Sequence, residues 1–175
     1  MTFSPHRSPP GVSAPGAPGK VRSRLRNLAL LEAANVPFQA WVWFGVVGLP
    51  VTAANAAGFG LAALLLVQGS LYWIAKLRQL RRPGPLPGAR AFLVARVADV
   101  PLLLAGVAFT AYAAVADPGR ASWPGVAFAL VAVLEYVNYF HVQLMHDTAA
   151  DLRRLVTAGL RPSHLARDLA RARQG

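Results

Sequence analysis

The stretch VTAANAAGFGLAALLLVQGSLYWI, residues 51–74, runs from end to end without a charged side chain. A helix needs roughly 20 mainly apolar residues to cross the hydrocarbon core of a bilayer. This stretch qualifies, and it is not alone. Three others match it: about 28–49 (LALLEAANVPFQAWVWFGVVGL), about 91–115 (AFLVARVADVPLLLAGVAFTAYAAV) and about 123–145, from Trp123 to Met145. The links at Pro50 and at DPGRAS (117–122) are short enough to join antiparallel neighbours, and the proline-rich RRPGPLPGAR (81–90) breaks the helix between the second and third. The expected fold is all-α: an integral membrane four-helix transmembrane bundle.

Composition agrees. Of 175 residues 55% are hydrophobic and 14% charged, against about 25% charge in an ordinary soluble domain. The charge is lopsided, 18 Lys and Arg to 7 Asp and Glu, a net +11. Nucleic-acid binding is one reading of such a balance. The placement of the basic residues speaks for a membrane instead. Five lie before the first span, none in the turn after Gly48, five in 75–90, one in 117–122 and six beyond 147. By the positive-inside rule both termini face the cytoplasm, as expected of a multi-pass protein of the plasma membrane. Trp41, Trp43 and Trp123 then mark the outer interface, Tyr72 and Trp73 the inner one. No aromatic-interleaved basic motif is present and no cysteine, so nucleic acid, disulfides, thiol catalysis and iron–sulfur ligation drop out.

Residues 20–56 also carry the outline of a secretory signal, with Ala54-Asn55-Ala56 as a small-residue cleavage site. Glu32 and Asn35 interrupt its start and the region before it is long, so a retained first span is the better expectation. Three regions follow: a disordered, basic, Pro/Gly-rich cytoplasmic tail over 1–26, the four-span domain over 27–147, and a basic amphipathic cytoplasmic tail over 148–175. In the last, DLRRLV prolongs the fourth helix and SHLARDLARAR restarts a short one at Ser163. Leu165 and Leu169 share one face of it with arginines elsewhere, which suits an anionic inner leaflet; a solvated tail that only enforces topology fits equally well.

The polar residues inside the spans fall at one depth. At about 1.5 Å per residue, Glu32 and Asn35 lie about 6 and 11 Å inside the cytoplasmic edge, Arg96 about 9, Asp99 about 13 and Glu135 about 12. Gln68 falls in the same half. Glu135 opens EYVNYFHVQLMHD (135–147), where Asn138, Tyr139, Val142 and His146 share its helical face. A charge at mid-bilayer costs at least about 2.5–3.5 kcal/mol, so such groups pair. Arg96 is expected between Asp99 and Glu135, with Asn138 and Tyr139 completing the hydrogen bonds.

Metal and catalytic chemistry find no support. His141 and His146 point about 140° apart on one helix. No i,i+4 His/Glu pair, no GxSxG and no P-loop occurs. No catalytic residue and no cofactor are expected. A small-residue stripe, Ala54, Gly58 and Ala62, allows a close helix approach, either within the bundle or to a second subunit. Three function classes fit: an accessory or scaffolding membrane subunit, whose partner is a second copy or another membrane protein; a small proton- or cation-coupled transporter or channel using Glu135 or Glu32; and an intramembrane lipid-modifying enzyme. The first is preferred.

Overall fold

The computed structural model describes residues 17–82, 84–142 and 162–172. Among them are five helices, a π-helical segment and no strand. α1 (Ala17–Ala40) runs directly into the π-helical segment Trp41–Val46. α2 (Ala53–Arg81), α3 (Ala89–Ala116) and α4 (Trp123–Phe140) follow, and α5 (His164–Ala172) closes the series. α2, α3 and α4 are long and apolar enough to cross a membrane. α1 is not among these three. Its first turns carry Lys20, Arg22, Arg24 and Arg26, Glu32 lies in its middle, and its most apolar part passes into the π-helical segment.

α2 is the hub. It packs against α1 on one side and α4 on the other, and α3 sits against both α4 and α2. The small-residue stripe explains the tightest of these crossings. Ala54, Gly58 and Ala62 are all buried, and a Cβ added at Gly58 would run into the carbonyl of Gly125 on α4. A Cβ at Gly125 would in turn meet the carbonyl group of Ala54. The stripe therefore closes the bundle by letting two backbones touch. Farther along, the Leu61 side chain fills the space a Cβ on Gly106 of α3 would need.

α1 extends ten residues into the stretch expected as tail. Pro18 stands in its first turn, where a missing N–H costs nothing, and arginine and leucine are good helix formers. Inside the helix, Pro37 withholds a hydrogen bond, and the backbone reorganises into the wider π turn soon after. Phe44 of that segment, Phe59 of α2 and Phe128 of α4 meet edge to face, with centroids 5.3 Å apart for Phe44–Phe59 and 5.5 Å for Phe59–Phe128.

The fourth helix ends earlier than the expected 145. The N–H groups of His141 and Val142 both bond to Val137, and Val142 pairs with Pro162. Ser163 then takes the orphan carbonyls of the helix end, its N–H on His141 at 3.0 Å and its hydroxyl on Tyr139. The same hydroxyl caps α5 by accepting from Ala166 N–H at 3.0 Å. Val142 thus leaves the face it was expected to share with Glu135. Gln143, Met145, His146 and Asp147 lie outside the described residues, as does the expected tail over 1–16.

α5 starts where the sequence placed it, but its apolar face is covered by protein. Leu165 and Leu169 are buried in the same cluster as Tyr72, Phe92 and Phe140. Asp168 anchors it, accepting from the Tyr72 hydroxyl at 2.8 Å and pairing with Lys76 at 2.9 Å.

Candidate functional site

The polar residues expected in the inner half divide into two groups, with α2 contributing to both. On the α1 side, Ser70 donates to the carbonyl of Ala29 at 2.9 Å, and one turn on Trp73 Nε1 donates to Glu32 Oε1 at 2.9 Å. The other Glu32 oxygen lies over Gly69, beside the hydroxyl of Tyr139 from α4; a Cβ at residue 69 would strike both. Tyr139 is within electrostatic range of both Glu32 and Glu135, and Glu135 is flanked by Asn138 and Tyr139 on its own helix. Three helices thus bring two carboxyl groups to one phenol. Asn35 is half-buried and joins none of these bonds.

On the α3 side, Gln68 Nε2 donates to Asp99 Oδ1 at 3.0 Å. Asp99 is buried at 4% exposure. Its second oxygen, Oδ2, has no hydrogen-bond partner, and neither has Gln68 Oε1. The Tyr136 hydroxyl donates to the backbone carbonyl of Arg96 at 2.9 Å.

The expected ion pairs of Arg96 are not formed: among the described residues the ion pairs are those of Asp168, with Lys76 and Arg171. Asp99 takes an amide in place of the guanidinium, and Glu135 faces Tyr139. Depth along each helix brought these residues level. Level residues need not touch: across helices the rotation about each axis decides, and Arg96 and Asp99, three apart on one helix, form no ion pair either.

Sequence reasoning missed a second polar knot at the opposite end, in the half expected to be nearly bare. Asn55 is completely buried. Its Nδ2 donates to the carbonyls of Pro50 and Arg120, each at 2.9 Å, and its Oδ1 accepts from Gly125 N–H at 2.8 Å. The local sequence explains each bond. Pro124 has no N–H, so Gly125 carries the orphan donor at the start of α4. Thr52 caps α2 by accepting from Asn55 N–H at 3.2 Å, and its hydroxyl donates to the carbonyl of Ala121 at 2.5 Å. Arg120 Nη2 reaches back to the carbonyl of Val47 at 2.8 Å. Thr52 three residues before an asparagine is an N-cap signal that the cleavage-site reading of Ala54-Asn55-Ala56 obscured. Gly69 and Trp73 were missed as well; a Gly-Ser pair within an apolar span was their only mark.

A shallow cleft of about 220 Å³ lies at the α5 end, lined in part by Gln79, Leu86, Asp168 and Arg171. No group of histidine, aspartate and glutamate among the described residues could hold a metal ion. The chain matches no protein-family model, no curated protein and no solved structure.

Proposed function

We propose that the chain is a plasma-membrane protein crossing the bilayer four times, with both ends cytoplasmic, and that it serves as an accessory or scaffolding subunit. The first crossing in this reading is Leu28–Val46, about 28 Å of helix against an about 30 Å hydrocarbon core. Lys20, Arg22, Arg24 and Arg26 are mostly exposed at the end of the bundle that also carries Arg78, Arg81 and Arg90. Basic side chains so placed suit anionic headgroups of the inner leaflet.

The observation that carries the scaffolding reading is how the buried polar groups are used: Ser70, Trp73, Gln68 and Tyr136 each bind one helix to another. They hold a shape. Ser70, the one serine within the spans, has its hydroxyl on the Ala29 carbonyl, which argues against a lipid-modifying nucleophile. α3 offers the most surface to a partner, a second copy or another membrane protein: Val97 is 70% exposed, Tyr112 73% and Val115 84%. A photo-crosslinker at Tyr112 in intact membranes is expected to capture a protein of defined mass; labelling of lipid alone would count against the role.

Transport is the second reading, favoured by the convergence of Glu32 and Glu135 on Tyr139. Proteoliposomes with an entrapped pH dye separate the two. A scaffold leaves the rate of proton entry at that of empty vesicles. Entry raised by the protein and abolished by Glu135→Gln would replace scaffolding with transport.

Orientation has its own check. The chain has no cysteine, so single engineered thiols report cleanly. A thiol at Arg120 is expected to react with an impermeant reagent from outside the cell, and one at Gly84 only after permeabilisation. The reverse pattern would invert the topology.

A further inference from the structure

We propose that Asp99 and Gln68 form a proton-binding site, in which one proton on Asp99 Oδ2 is donated to Gln68 Oε1 and closes a two-bond acid–amide ring between α3 and α2. One of the two bonds is already present, from Gln68 Nε2 to Asp99 Oδ1 at 3.0 Å. The two oxygens left over, Asp99 Oδ2 and Gln68 Oε1, are both buried and both without a hydrogen-bond partner. Each is an acceptor, so neither can satisfy the other unless a donor enters. A protonated carboxyl has one O–H and one carbonyl oxygen; a primary amide has N–H donors and one carbonyl oxygen. Facing each other they complement fully, and a single proton removes both orphans at once. A buried polar atom left unmatched destabilises the fold, and here two such atoms lie on one side-chain pair.

The charged form has little to hold it. From α2 the carboxyl accepts from Gln68, and among the described residues the ion pairs are those of Asp168, none of them to Asp99. On α3 itself, Arg96 forms no ion pair with Asp99. From α4, Tyr136 has its hydroxyl on the Arg96 carbonyl, and Glu135 lies beside Asn138 and Tyr139. Lys76 and Arg171 are held by Asp168. A metal cation is a poor substitute, since calcium takes about 6–8 oxygen ligands and the pair offers two free ones. The ligand this geometry fits is a proton.

Occupancy and helix seating are linked. With the proton gone, the carboxylate keeps the Gln68 amide donor but leaves two acceptor oxygens unmatched at the α2–α3 contact. α3 is the least buried of the three long apolar helices, so this contact bears on how it is seated. Proton binding and close approach of α3 to α2 then favour each other reciprocally. The ring stands independently of the scaffolding role.

The test is infrared spectroscopy of the full-length protein in bilayers at neutral pH. Wild type is expected to show the C=O stretch of a protonated carboxyl, sensitive to deuterium exchange, and Asp99→Asn to lose it. Asn at 99 preserves the ring as an amide–amide pair, with one N–H donating each way, so that variant is expected to melt near wild type. Gln68→Leu removes the ring partner and is expected to move the band to higher frequency. Glu32→Gln and Glu135→Gln serve as assignment controls and are expected to leave it in place. Identical acid-carbonyl regions in wild type and Asp99→Asn would mean an ionised Asp99 and would overturn the site. So would a band indifferent to Gln68→Leu.

Discussion

Alanine at Gly58 is expected to prevent α2 and α4 from closing. The added Cβ would meet the Gly125 carbonyl, and backbone cannot rotate aside as a side-chain tip can. Overpacking a tight core costs about 1–3 kcal/mol, and a backbone-to-backbone clash belongs at or above the top of that range. The seam between α2 and α4 is also where Asn55 and Gly125 meet, so separating the helices strains that bond too. Thermal unfolding in detergent or nanodiscs measures the loss. Gly60→Ala is the control on the same helix: nothing lies within 4 Å of a Cβ there, and alanine is favoured over glycine in a helix interior by about 1 kcal/mol. It is expected to be neutral or slightly stabilising. Equal losses from the two substitutions would mean that helix flexibility, and not the close crossing, is what Gly58 supplies.

Asn55→Leu is expected to destabilise the protein by a similar amount. It deprives the Gly125 N–H of its acceptor and the Pro50 and Arg120 carbonyls of a donor, in a position with no solvent exposure. The Gly125 N–H is the buried group left unmatched, at about 1–3 kcal/mol for such a group. The part-buried carbonyl bonds place the total near the top of that range. Asn55→Asp sharpens the test. It retains the acceptor for Gly125 but sets a second oxygen against two carbonyls, so no rescue is expected although the shape is unchanged. An Asp variant as stable as wild type would show that packing alone, and not the donor pair, matters at this position.

The apolar stretches at 51–74, 91–115 and 123–145 announced their helices because uninterrupted hydropathy over that length has few other uses. The small-residue stripe was legible for the same reason: Ala54, Gly58 and Ala62 recur at the helical repeat, and only their target, Gly125, had to be seen. The start of α5 followed from Ser163, a capping residue just after Pro162. Other features had no local signature. Depth can be counted along one helix, but which way a residue points toward a second helix depends on how both are rotated. Depth therefore grouped the polar residues without saying which of them touch, and Arg96 forms no ion pair with Asp99 or Glu135. The end of α4 at Phe140 depends on Ser163, more than twenty positions away, and no reading of the local periodicity contains it. Asn55 was hidden differently, since a buried asparagine bonding three backbone groups looks in sequence like any polar residue near a turn.

The docking of α5 has a consequence for how the protein is made. Tyr72 and Asp168 are 96 residues apart in the chain, and their bond joins the C-terminal part of α2 to an element lying downstream of all the long helices. A ribosome delivering this chain has released α2, α3 and α4 into the membrane before Leu165 and Leu169 emerge. During that interval Tyr72, Phe92 and Phe140 lack the cover that Leu165 and Leu169 give them. Closing a long loop is slow relative to local helix formation, so the docking of α5 on Tyr72, Phe92 and Phe140 follows the formation of the helices it joins.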